Sequence, residues 1–151
     1  MSDTNRTLPD LFCMCGNFRR ASRALTQLYD DALRPTGLRA TQFTVLQVLS
    51  RAGELSQSEI AQILAMDSTT LTRTLRIMSR EGWIAERRGE DRRERWLRLA
   101  KAGRDQFNRA FPRWEKVQAQ LERQLGAKRW HDLHQLANEV TAALTRKGDL
   151  S

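Results

Sequence analysis

The chain has 151 residues, a length that fits a single domain. It is 40% hydrophobic with a net charge of +8, which argues against global disorder and for polyanionic partners. No apolar run reaches the ~18 residues of a membrane span, residues 1–10 lack the apolar stretch of a secretory signal, and Cys13 and Cys15 are too few for a disulfide framework, so a cytoplasmic location is expected.

Arginine supplies most of the basic set, and its planar fork suits phosphate oxygens and guanine edges. A GC-rich genome would produce the same excess, so charge by itself decides little. Residues 1–9 are polar and expected to fray. Leu11, Met14, Phe18, Ala21, Leu25, Leu28 and Ala32 then recur every three or four residues, which predicts an amphipathic helix ended by Pro35 and Gly37. A second helix enters at Ala40 or Thr41, buries Phe43, Leu46 and Leu49, and closes at Gly53.

Ser56-Gln57-Ser58-Glu59 reads as a capping box, and Asp67 as a second N-cap a few residues later. Ile60, Ala61 and Leu64 face inward from the first helix of this pair; Leu71, Leu75 and Met78 do so from the second, which Gly82 stops. Two short helices joined by a tight turn make a helix-turn-helix. Trp83–Arg88 and Arg95–Leu99 read as two strands, with Ile84, Leu97 and Leu99 inward and a polar tip at residues 89–94. A long helix begins near Lys101 with the stripe Phe107, Phe111, Trp114, Val117, Leu121 and Leu125, and Pro112 predicts a kink. Beyond Gly126, the heptad-like spacing of Trp130, Leu133, Ala137, Val140 and Leu144 predicts helix-on-helix packing. Apolar stripes on residues 11–32 and 107–144 would stay wet in a monomer, which favours a dimer.

This order of elements resembles the MarR family over nearly the whole chain. The resemblance is carried by Ser68-Thr69-Thr70-Leu71-Thr72-Arg73-Thr74-Leu75, Glu81-Gly82-Trp83-Ile84, Asp91-Arg92-Arg93 and Leu97-Arg98-Leu99. Asp91 and Arg93 occupy the Asp-x-Arg of the family's wing. Ala100 stands where the family usually has a Thr, which removes a cap worth roughly 1 kcal/mol. The resemblance implies a mainly α fold with a small β-hairpin wing. Residues 38–99 would form the winged helix-turn-helix, and residues 10–34 and 101–147 the dimerisation helices. It also implies a homodimeric transcription regulator, by family habit a repressor, whose partner is a near-palindromic double-stranded operator.

On this reading Ser68, Thr69, Thr70, Thr72, Arg73 and Arg76 meet DNA from the recognition helix. Arg92, Arg93 and Arg95 meet it from the wing, with Arg93 entering a minor groove and Asp91 orienting an arginine. Residues 68–98 hold nine Arg against five Asp or Glu, so binding should be salt-sensitive. A non-specific architectural DNA-binding protein is the alternative.

Control is less legible. The resemblance implies a small phenolic or anionic effector or an oxidisable cysteine. Cys13 and Cys15 sit near a helix N-terminus, whose dipole favours the thiolate, and Tyr29 stands at the spacing of the hydroperoxide-sensing branch. Arg19 and Ala40 occupy positions where that branch would offer further tyrosines. Two small residues packed on a dimer helix are the plainer reading of the pair, and on a continuous helix the Cys-x-Cys side chains would point about 200° apart. His131 and His134 match no zinc spacing, so neither a metal nor a cofactor is expected. There is no Ser/His/Asp set, P-loop or GxGxxG to suggest an enzyme.

Overall fold

The computed structural model describes residues 10–145. Residues 1–9, expected to fray, and the end of the expected 101–147 segment lie outside the described residues. Helix α1 (Met14–Leu33) runs through a single 3-10 turn at Arg34–Thr36 into α2 (Ala40–Ala52). Asp30 of α1 accepts the Ala40 N–H at 2.7 Å, so one helix caps the next. Strand β1 (Leu55–Ser56) leads into α3 (Gln57–Ile63) and α4 (Ser68–Arg80). The strands β2 (Ile84–Arg88) and β3 (Arg95–Leu99) follow, then the long helices α5 (Lys101–Leu125) and α6 (Ala127–Thr145). The expected winged helix-turn-helix is present, flanked by long helices at both ends.

Local chemistry sets these boundaries. Ser56 accepts the Glu59 N–H at 3.2 Å while Glu59 takes the Ser56 N–H at 2.8 Å, closing the capping box at α3. Asp67 accepts the Thr70 N–H at 3.0 Å and opens α4. At the far end of α4 the Trp83 N–H reaches Met78 O and the Gly82 N–H reaches Ser79 O. This Schellman pair requires Gly82 at φ +74°. The α3–α4 turn instead places Ala65 at φ +48°, a conformation a side-chain-bearing residue adopts at a cost.

The sheet order is β1-β3-β2, antiparallel throughout, with Ile84 opposite Leu99 and Leu55 opposite Leu97. Two strands were expected; the third has only two residues. The core gathers Leu46, Leu49, Ile60, Leu71, Leu75, Met78 and Leu97, all at most 2% exposed. The first half of α5 joins it. Phe43 of α2 stacks on Phe107 and Trp114 with ring centroids 5.3 and 5.8 Å apart, and Phe111 leans on both α5 rings. This corrects the expected continuous wet stripe on residues 107–144, because its aromatic half is covered within the protomer. Helix α5 is one uninterrupted helical span through Pro112.

Candidate nucleic-acid interface

On α4, Leu71, Leu75 and Met78 are fully buried. The 100° step of the helix therefore turns Thr69, Thr72, Arg73 and Arg76 to the opposite side. Ser68, Thr69, Arg73 and Arg76 are exposed and, with Thr72, line one concavity. Two of the predicted hydroxyls are already engaged. Thr70 Oγ1 donates to the Asp67 carboxylate, making Thr70 part of the cap. Thr72 Oγ1 accepts from Gln57 Nε2 at 2.8 Å, which ties α3 to α4 and leaves the Thr72 O–H free to donate.

A second groove joins this face to the hairpin. It runs past Ser56, Gln57 and Ser58 at the start of α3 and Ser68 and Thr72 of α4, to Arg93, Glu94 and Arg95. Gln57 and Ser58 were not singled out from sequence. The capping box, which places them in the first turn of α3, was the available signal.

At the tip, Arg92 and Arg93 are exposed. Asp91, expected to pair with an arginine side chain, instead accepts the Arg93 backbone N–H at 3.0 Å. Arg88 Nη1 donates to Arg92 O at 3.3 Å. Arg95, expected to meet phosphate, is paired within the hairpin. Its Nη2 donates to both oxygens of Glu86 at 2.7 and 2.6 Å. On the other face of the sheet, Arg87 pairs with Glu54 and lies over the Trp96 ring, 5.2 Å from its centroid.

Hydrogen bonds from the Arg87 side chain hold the Glu54 carboxyl below its ordinary range and raise Arg87 in return. Burial pushes the Glu86 carboxyl up, but hydrogen bonds from Arg95 and Ser79 and the arginine charges outweigh it and lower the net value. Asp67 is lowered by the side-chain and backbone hydrogen bonds of Thr70. Among the described residues Arg73, Arg76, Arg80, Arg92, Arg93 and Arg98 enter no ion pair.

The MarR-family model matches residues 38–94, the segment from α2 to the wing tip. Over most of the chain, the transcriptional regulator MosR of M. tuberculosis, solved in complex with DNA, is 37% identical. It superposes with a TM-score of 0.76 over 87% of this chain and 98% of that one. The chain belongs to the MarR family. Another solved structure of the same fold is a mutant of E. coli MarR, with serine in place of a cysteine, complexed with operator DNA (23% identity, TM-score 0.75, 87% of this chain and 99% of that one). A curated relative is an uncharacterised HTH-type transcriptional regulator of Bacillus subtilis, YwoH. It is 29% identical over 102 residues, 68% of this chain and 74% of its own length. This MarR-family protein is thus a transcriptional regulator, not an enzyme. No helix among its described residues is long and apolar enough to cross a membrane.

The cysteines stand at the start of α1, outside the winged segment. Cys13 is not helical: it is the N-cap of α1 at φ −82°, ψ 118°, and its Sγ accepts the Gly16 N–H at 3.4 Å. The expectation of two cysteines on one continuous helix is therefore corrected, and the 200° argument does not apply to this pair. Both thiols are exposed. Tyr29 stands fourteen residues beyond Cys15 on the same helix, about 21 Å along its axis, so the two form no site within one protomer. Its hydroxyl donates to Gln118 Oε1 at 3.0 Å, and burial raises its pKa. Tyr29 instead lines a cavity of about 360 Å³ between α1, α2, α5 and α6, with Phe18, Leu25, Phe43, Trp114 and Leu133.

Proposed function

We propose that the protein is a homodimeric, sequence-specific DNA-binding repressor of the bacterial cytoplasm, relieved by a small ligand or by cysteine oxidation. The observation that carries the DNA reading is the continuity of two surfaces. The concavity on α4 bearing Thr69, Arg73 and Arg76 meets, at Ser68 and Thr72, the groove that leads to Arg93 at the wing tip. A helix of this kind fits a major groove while the tip follows the backbone into the adjoining minor groove. The neighbours from M. tuberculosis and E. coli crystallised with DNA support the same reading.

Dimerisation is supported by the apolar side chains left exposed at both ends of the chain. Phe12 is 99% exposed and Met14 69%, and Leu133, Leu136, Val140 and Leu144 line α6. A face of this extent marks a partner surface, and the spacing on α6 suits a second helix. The α1–α2–α5–α6 cavity has the size and apolar lining of a small-molecule site. Among the described residues no charged side chain lines it, which favours a neutral or phenolic effector over an anionic one. The exposed Cys13 and Cys15 support oxidation as the other route.

The test is a titration against DNA from the protein's own upstream region and against scrambled DNA. Arg73→Ala should lose about ten- to a hundredfold on specific DNA, the equivalent of ~1–3 kcal/mol for a base-reading arginine. Arg93→Ala should lose affinity most on A·T-rich flanks. Equal binding of both DNAs by every variant would instead support the architectural alternative.

A further inference from the structure

We propose that Glu86 is a positioning residue that sets the wing relative to α4, and that Arg95 serves this clamp and does not touch DNA. The inference rests on the DNA reading above. Glu86 lies on β2 opposite Leu97, so Arg95, two residues back along β3, is its diagonal neighbour on the same face. One Glu86 oxygen, Oε1, accepts from Ser79 Oγ in the last turn of α4 at 3.0 Å and from Arg95 Nη2 at 2.7 Å; Oε2 takes Arg95 Nη2 at 2.6 Å. A single carboxylate thus joins the end of the helix to both strands of the hairpin.

The pair is about two-thirds buried, with Arg95 and Glu86 side chains 31% and 28% exposed. Arg95 Nε is fully covered and makes no hydrogen bond among the described residues. Turning Arg95 toward a phosphate would break two charge-assisted bonds. Arg93 precedes Arg95 by only two residues, in the hairpin turn, so holding Arg95 fixes where the wing tip leaves the sheet. The separation between Arg93 and the α4 face then depends on Glu86, and two grooves are read together only when that separation matches them.

Glu86→Gln keeps the shape and loses the charge; Arg95→Gln removes the guanidinium. Both are compared with wild type on the protein's own upstream DNA and on scrambled DNA across a salt series. The specific-to-scrambled ratio should fall at least about tenfold in each variant. In Arg95→Gln the slope of log affinity against log salt should stay unchanged. A slope flatter by about one, the loss of one phosphate contact, with equal weakening on both DNAs, would overturn the proposal. So would an unchanged ratio in Glu86→Gln.

Amide exchange, measured without DNA, reads the clamp directly. The Gly89 and Glu94 N–H groups, bonded to Glu94 O and Asp91 O, should exchange at least about fivefold faster in Glu86→Gln, with Leu71–Met78 unchanged. Wild-type protein that prefers neither its own upstream DNA nor any selected genomic fragment over scrambled DNA would overturn the DNA reading, and the specificity role with it. Unchanged exchange at the wing would overturn the clamp alone.

Discussion

At Gly103 helix α5 passes so close to the hairpin that a Cβ built there would collide with the Trp83 carbonyl oxygen. That oxygen also accepts the Ala100 N–H at 3.0 Å, so the helix start cannot withdraw without losing a bond. Gly103→Ala should therefore destabilise the protein by about 1–3 kcal/mol, the usual range for overpacking, read from denaturant unfolding. Glu86 has a folded pKa below its ordinary 4.5, so its contribution is complete above that value and is lost as pH falls through the lowered one. Asp67 and Glu54 act in the same direction. Thermal midpoints should hold steady from pH 7 to 5 as far as these groups are concerned and drop below about 4.5, and Glu86→Gln should blunt that drop. A midpoint that rises on acidification through this window would contradict the assignment. Asp67 as an N-cap was readable from its place before a periodic run. The partners of Arg95 and Asp91 were not, because charges on a hairpin pair according to strand register, which spacing alone does not fix.

Elements were legible where two signals coincided. Ser56 with Glu59, and Asp67 with Gly82, bracket α3 and α4, and the spacing of Leu71, Leu75 and Met78 gives the buried face. Strand β1 was not legible, because two residues carry no alternation and Ser56 already serves as a cap. The α3–α4 turn hid its left-handed residue, since Ala65 stands where glycine would have announced it. The periodicity of Phe107, Phe111 and Trp114 marked an apolar face correctly but could not say what covers it; Phe43 of the same chain does. What remains open to a partner is α6, where Leu133, Leu136 and Val140 are 45%, 55% and 38% exposed. Val140→Asp should shift the protein toward monomer in sedimentation experiments while its helical content holds. Unchanged mass would place the dimer surface elsewhere.

At the scale of the whole molecule, the electrostatic field is more selective than the composition. Residues 68–98 carry nine arginines and five acids, yet Arg87 and Arg95 are engaged by Glu54 and Glu86. The arginines free to meet phosphates and bases thus lie mostly on the α4 face and at the hairpin tip. A dimer would carry two such heads, and for a two-fold helix-turn-helix protein the half-sites lie about one helical turn, roughly 34–36 Å, apart. The most direct test is a footprint of the reduced protein on DNA selected from genomic fragments. A near-palindromic protected element with two half-sites one turn apart is expected, with the protection of both weakened together in Arg73→Ala. Uniform protection with no recurring element, unchanged by Arg73→Ala, would contradict it and make the protein a general coat for DNA.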